Sequence, residues 1–214
     1  SQRDAARVIE ETERSAPFLP VTIKDQLSFD EIARVAANTP TLAGVTVEQG
    51  LSRVYPSLES YAHVVGYVGP VSDNDLKQSN DSNPLLKIPR FQVGKVGVEK
   101  HYEDVLRGSA GIMKVEVNAL GRVMRNLDRK EGKPGNNIQL TVDTDLQTYI
   151  QARLGSESAS AVVMNCKNGE ILAIASSPSY DPNKFVRGIS YSDFNELRDN
   201  EFRPLASKTV QDAY

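Results

Sequence analysis

Two stretches of this chain read as antiparallel hairpins, and they restrict the fold more than any other feature. IMKVEVNALGRVMRNLD (112–128) sets two alternating strands about Ala119-Leu120-Gly121, and SASAVVMNCKNGEILAIASS (158–177) sets two more about a Cys-Lys-Asn-Gly turn. Strands that close on themselves through short turns need no crossover helix. A single helix, TDLQTYIQARLG (144–155), stands between the hairpins, with Leu146, Tyr149, Ile150 and Leu154 on its inward face and Gly155 as its stop. Helices and hairpins therefore mix without regular β-α-β alternation, which predicts an α+β fold.

Upstream, the spacing of Ala5, Ala6, Val8, Ile9 and Thr12 predicts a first helix. Ser28 and Glu31 form a capping box ahead of a second, whose apolar face is Phe29, Ile32, Ala33 and Ala36. Residues 44–56 read as extended, and LESYAHVVGYVGP (58–70) as a short helix running into a glycine turn. The polar run 71–90 reads as a long surface loop, 98–106 as a helix ended by Gly108, and NIQLTVD (137–143) as a strand. DRKEGKPGNN (128–137) is the strongest linker signal, so the chain divides into 1–134, with 1–90 a head-like lobe, and 135–214.

Composition excludes several classes of function. A net charge of −3 and a pI of about 5.5 leave no basic face for nucleic acid. One cysteine, Cys166, allows no intrachain disulfide, and the two histidines, His63 and His101, have no ligand spacing, so neither a metal nor a cofactor is expected. The apolar runs AVVM and ILAIA fall far short of the ~20 residues that cross a bilayer. The start, SQRDAARVIEETERS, carries no signal peptide and reads as the middle of something longer.

Candidate nucleophiles find no partners. Cys166 sits at a hairpin turn beside Lys167, where a small polar turn residue explains it, although an unrelated hydrolase built on this thiol is a competing reading. His63, flanked by apolar residues, reads as a structural histidine with its ring nitrogens satisfied by backbone. Ser72-Asp73-Asn74 spells S-D-N, one motif of the serine enzymes that recognise β-lactams. No serine in the chain has a lysine three residues later, and Lys208-Thr209 is followed by Val210, so S-x-x-K and K-T-G are both missing. The tripeptide is read as loop composition.

Other blocks do resemble that superfamily. GKVGVEKHYEDVLRGSAG (94–111) resembles the G-x-x-G-x-E…Y-x-x-x-L-R-G-x-x-G signature of the non-catalytic module of class B penicillin-binding proteins, through Gly97, Glu99, Tyr102, Leu106, Arg107, Gly108 and Gly111. HVVGYVGPVS (63–72) resembles the segment before it. LTVDTDLQTYIQARL (140–154) resembles the helix that opens the transpeptidase domain, and SAVVMNCKNGEILAIASSPSYDPNKF (160–185) its first hairpin. FLPVTIKDQLSFDEIARVAANTPTLAGVTVEQGLSRVYP (18–56) is similar to the elongation subtype, penicillin-binding protein 2.

The resemblance implies an elongated pedestal and dimerisation module of short helices and hairpins, followed by an incomplete transpeptidase domain. The parent is expected to be anchored in the bacterial inner membrane by an N-terminal helix absent here and to face the periplasm. There it would crosslink peptidoglycan stem peptides through an acyl-serine. Its expected partners are a shape-elongation glycosyltransferase and an MreC-type rod-shape scaffold, with homodimerisation also open. EFRPLASKTVQDAY (201–214) is similar to the run that leads into the catalytic serine, so nucleophile and general base are expected beyond Tyr214 and the 214 residues themselves are read as inactive. The alternative is a free-standing periplasmic interaction module without an enzyme. Gly97, Glu99, Tyr102, Arg107, Gly108 and Gly111 are then the candidate interdomain residues. Arg107 is expected to reach across the seam with Glu99 as its candidate partner, and the glycines are expected to serve tight turns. The apolar β-hairpin of 158–177 is expected to leave an exposed face.

Overall fold

The computed structural model describes residues 8–13, 20–42, 44–48, 50–78, 84–88, 91–118, 123–186 and 188–211. In chain order its helices are α1 (residues 8–13), α2 (Phe29–Asn38), α3 (Ala62–Val65), α4 (Asp73–Gln78), α5 (Gly97–His101), α6 (Glu103–Arg107), α7 (Thr144–Leu154), α8 (Asn183–Val186) and α9 (Tyr191–Asp199). The described strands form three antiparallel pairs: β1 (Val68–Pro70) with β2 (Gln92–Gly94), β3 (Ile112–Val117) with β4 (Val123–Lys130), and β5 (Ala159–Met164) with β6 (Ile171–Ser177). Both predicted hairpins are present and none of the described strand pairs is parallel, so the fold is α+β. The turn about Ala119-Leu120-Gly121 lies outside the described residues, as do Ala5 and Ala6.

The chain separates into two compact units. The first joins Ser1–Leu51 to Gly111–Glu131. In it α2 starts as predicted: Ser28 Oγ accepts from the Glu31 N–H, and the Glu31 carboxylate accepts from the Ser28 N–H. The predicted apolar face of α2 is not buried, and Phe29 is 85% exposed. The β3–β4 hairpin is likewise exposed along both strands and carries two register shifts.

The second unit joins Ser52–Ala110 to Gly132–Tyr214. Its core is shared by sequence-distant residues. Ala62 packs with Tyr180 and Phe185, and Tyr55 and Val68 pack with Val186. Tyr67 lies between the two groups, stacked on Phe185 at 4.1 Å and edge-on to Tyr180. ILAIA supplies β6, whose Ala173 and Ala175 are fully covered by the chain itself, whereas Val162 and Met164 of β5 stay exposed. The expected exposed face is thus confined to one strand of this hairpin.

Several local readings change. Residues 71–90 are not one loop: Ser72 and Asp75 cap α4 reciprocally, and a 3-10 turn covers Pro84–Lys87. The S-D-N tripeptide is therefore a helix start. The helix over 98–106 is broken at Tyr102, whose φ of −108° and ψ of 24° leave helical geometry and split it into α5 and α6. The strand expected over NIQLTVD is not formed; the segment touches β6 through two bonds, from the Asp143 N–H to Leu172 O and from Thr141 Oγ1 to Ile171 O. Of the linker 128–137, residues 128–130 belong to β4, and Lys133 bridges to Ser109 in both directions. On α7 the helical face is rotated from the predicted one. Tyr149 is 63% exposed, and the fully buried side chain is Gln147.

Candidate functional site

The second unit contains a buried seam where residues 52–110 meet residues 132–214, and two amide side chains fasten it. Gln147 projects from α7, which begins at Asp143 with its carboxylate accepting the Leu146 N–H at 2.9 Å. Its Oε1 accepts from the Ile174 N–H at 2.8 Å, and its Nε2 donates to Ile174 O at 2.9 Å and to Ser60 O at 2.7 Å. A primary amide has one acceptor and a two-proton donor, so it can treat the backbone of β6 as a neighbouring strand would and still reach Ser60. Burying such a group is favourable only because each polar atom is met.

Asn183 repeats this arrangement at the other end. Asp181 Oδ1 accepts from both the Asn183 N–H and its Nδ2, which presents the amide. Asn183 Oδ1 then accepts from the Tyr55 N–H and Nδ2 donates to Tyr55 O, both at 2.9 Å. Tyr55 passes the linkage on. Its hydroxyl accepts from the Val68 N–H at 3.0 Å and donates to Glu99 Oε1 at 3.1 Å. Burial first, and the Glu99 charge second, push the Tyr55 phenol far above its ordinary range, so it stays a hydroxyl donor.

Glu99 is 4% exposed, and Arg53 grips it with Nε at 2.8 Å and a second guanidinium nitrogen at 3.0 Å. This two-pronged contact together with the Tyr55 hydroxyl offsets the cost of burying the carboxylate. The expected Glu99–Arg107 pair is corrected accordingly. The carboxylates that Arg107 meets are Glu103 at 3.0 Å and Asp104 at 3.2 Å, one turn back on its own helix. The break at Tyr102 explains this, because it starts a new helix in which Glu103 and Arg107 stand four residues apart. Glu103 also accepts the Gly94 N–H at 2.6 Å, so it ties β2 to α6.

The remaining predicted residues have local duties. Gly97 has φ of +64°, and a Cβ there would lie 2.7 Å from Val64 O. Gly66 has φ of +81°, and its Cβ would lie 2.0 Å from Val96 O, so the two glycines let the end of α3 and the start of α5 approach backbone to backbone. Gly108, at φ +74°, faces the Lys133–Gly135 backbone. Tyr102 is 42% exposed at the helix break, and Gly111 is exposed just before β3. Cys166 is exposed in the β5–β6 turn. His63 differs from expectation: its Nε2 is buried with no hydrogen-bond partner.

Sequence reasoning did not single out Arg53, Tyr55, Gln147 or Asn183. Gln147 and Asn183 stood in the quoted blocks LTVDTDLQ and PSYDPNKF, yet nothing local shows that a polar residue there is buried. Among the described residues no group of three or more His, Cys, Asp or Glu could hold a metal ion. Chemically the site is a fastening: amides on backbone, a compensated carboxylate and a protonated phenol. We expect Tyr55→Phe to cost about 1–3 kcal/mol in urea unfolding, because it strands the buried Val68 N–H and removes a donor from Glu99. An unchanged midpoint would contradict this account of the seam.

Comparison with known proteins places these two sides of the seam in one family. Residues 1–140 match the model of the penicillin-binding protein dimerisation domain, and residues 159–214 that of the penicillin-binding protein transpeptidase domain. Peptidoglycan D,D-transpeptidase MrdA of Escherichia coli K12 is 38% identical over 212 residues, which is 99% of this chain and 34% of that protein. The Salmonella typhimurium LT2 protein of the same name is 40% identical over 202 residues, 94% of this chain and 32% of its own length. The chain thus spans about a third of the length of these curated relatives. Among solved structures, penicillin-binding protein 2 in complex with MreC from Helicobacter pylori matches with a TM-score of 0.71 at 26% identity, over 97% of this chain and 42% of that one. Penicillin-binding protein 2 of Pseudomonas aeruginosa in complex with WCK 5153 matches with a TM-score of 0.61 at 34% identity, over 76% of this chain and 32% of that one. With both domain models matched in order, this chain belongs to the penicillin-binding proteins, and along its length it is similar to members named MrdA and penicillin-binding protein 2.

Proposed function

We propose that this chain is the pedestal and docking region of a peptidoglycan D,D-transpeptidase that acts in lateral wall elongation and rod shape. The observation that carries the reading is the seam. Gln147 and Asn183, from the segments that open the transpeptidase domain, are bonded to the backbone of Ser60 and Tyr55 on the pedestal side. A pedestal fastened in this way can orient a catalytic domain relative to the membrane and its partners. In functional terms residues 1–134 form the pedestal and 135–214 the start of the transpeptidase domain, even though the two share a core. Gly97, Glu99, Tyr102, Arg107, Gly108 and Gly111 maintain its geometry.

The parent crosslinks stem peptides by acylation of a serine and binds β-lactams in the same way. It is held in the inner membrane and faces the periplasm. Its docking partners are an MreC-type scaffold, as in the solved Helicobacter pylori complex, and a glycosyltransferase of the elongation machinery; a homodimer is a further assembly of the same module. The 214 residues contain no S-x-x-K and no K-T-G, so they hold no acylation site.

Two measurements test this. Incubation with a fluorescent penicillin, followed by mass spectrometry, is expected to leave the chain unlabelled; a covalent adduct would overturn its assignment as the non-catalytic region. Calorimetric titration with the periplasmic domain of an MreC-type protein is expected to show saturable binding. No binding at the highest soluble concentrations would remove the docking role.

A further inference from the structure

The β3–β4 hairpin of the first unit carries its charges in a checkerboard. The register sets Lys114 opposite Asp128 and Glu116 opposite Arg125, whose guanidinium bonds the Glu116 carboxylate. Strand alternation puts Lys114 and Glu116 on one face of β3 and Met113, Val115 and Val117 on the other. Met113, Lys114, Glu116 and Val117 are exposed, and Val115 is half-buried. The two edges of the hairpin differ. The register skips Met124 and Leu127, so both irregularities fall on β4, while β3 runs without an inserted residue. Bulges bend a strand and spoil its outer edge for further pairing. Among the described residues β3 has no strand neighbour besides β4, which leaves it a regular outer edge.

Resting on the reading of this module as one that can homodimerise, we infer that β3 is the contact edge of a twofold dimer, pairing antiparallel with β3 of a second copy about Val115. With Val115 on the axis, Lys114 lies opposite Glu116 of the second copy, Met113 lies opposite Val117, and Val115 meets itself. The twofold axis makes each unlike pair occur twice. A charged row across the four strands then reads Arg125, Glu116, and Lys114 and Asp128 of the second copy, with the sign alternating at every step. The other face gains a continuous apolar stripe of Met113, Val115 and Val117 from both copies. No pair opposed across the axis joins like charges or sets a charge against an apolar side chain. In-register parallel pairing would put Lys114 on Lys114 and Glu116 on Glu116, so charge also sets the direction. A lysine on an edge strand ordinarily discourages an added strand. A second copy removes that penalty, because it brings a carboxylate opposite Lys114 and a cation opposite Glu116 together.

Sedimentation velocity of the 214-residue chain, from micromolar to near-millimolar concentration, is the test, and reversible dimerisation is expected. Glu116→Lys and Lys114→Glu each turn two opposite-charge pairs into two like-charge pairs, and each is expected to weaken dimerisation by about tenfold or more. Mixed in equal amounts, the two variants are expected to recover it as a heterodimer, because each offers the charge that the other needs. Misfolding cannot mimic that recovery. Each change also meets a like charge on its own β4, Arg125 or Asp128. Should either therefore fail to fold, Val115→Cys in a Cys166→Ser background decides. Diamide is expected to link it into a disulfide dimer, since opposed Cβ atoms lie about 4.5–5.5 Å apart across a strand pair, and to leave Met124→Cys on the bulged strand unlinked. A chain that stays monomeric throughout, a dimer indifferent to both charge reversals, or equal cross-linking at positions 115 and 124 would overturn the inference. A monomer that still binds the MreC-type domain would refute this dimer alone and leave the docking role standing.

Discussion

Replacing Gln147 with leucine is expected to destabilise the second unit by about 3–5 kcal/mol, although leucine is the better helix former and the more apolar residue. Three backbone partners lose their bonds at once: the Ile174 N–H, Ile174 O and Ser60 O. Each buried group left unpaired costs ~1–3 kcal/mol, and the apolar gain of leucine recovers part of the total. In a chain of this size that corresponds to a fall in melting temperature of about 10 °C or more. Tyr149→Ala is the control. Tyr149 lies two residues away on the same helix but is 63% exposed, so its loss is expected to stay within about 0.5–1 kcal/mol. Equal effects at the two positions in urea titration would show that the amide fastening is not what holds α7 to β6.

Gly66→Ala is expected to be the other severe substitution, with a loss of at least ~3 kcal/mol or failure to fold. Two penalties add there. The backbone sits at φ +81°, and the new Cβ would lie 2.0 Å from Val96 O and 2.5 Å from its carbonyl carbon. Backbone atoms cannot swing aside as a flexible side chain can, so the end of α3 and the start of α5 would have to separate. Gly155→Ala isolates the first penalty. Gly155 also has a positive φ, +56°, but nothing lies within 4 Å of its Cβ site, so that change is expected to cost only ~1 kcal/mol. Thermal unfolding of both variants measures the difference. Comparable losses would mean that conformational strain alone, without the close approach of two backbones, governs Gly66.

Where readings of the chain held, the signal was local. The Ser28–Glu31 box, the Gly155 stop and both hairpins depend on residues within a few positions of one another. Turn chemistry and period-two alternation are sufficient there. Readings that changed failed for nameable reasons. Residues 71–90 were polar enough to pass for a loop, yet Ser72 and Asp75 close a helix start that polarity alone conceals. The apolar spacing on α7 pointed to Tyr149, but the helix meets β6 and Ser60 with a polar residue, and apolar periodicity cannot register a buried amide. Glu99 and Arg107 stood within one signature and suggested a pair, while Tyr102 breaks the helix between them and Arg53, far upstream, takes the carboxylate.

The candidate site divides in the same way. The sequence by itself determined the family, the α+β class, the absence of S-x-x-K and K-T-G from these residues, and the glycines at Gly97 and Gly108. All of these are properties of residue identity and short spacing. Only the tertiary structure decided who bonds whom across the seam. Gln147 finds Ser60 from 87 residues away, and Asn183 finds Tyr55 from 128. A side-chain amide recognises a backbone N–H and C=O, which every residue but proline carries, so its own sequence neighbourhood holds no trace of the partner. Packing alone brings that particular stretch of backbone within reach.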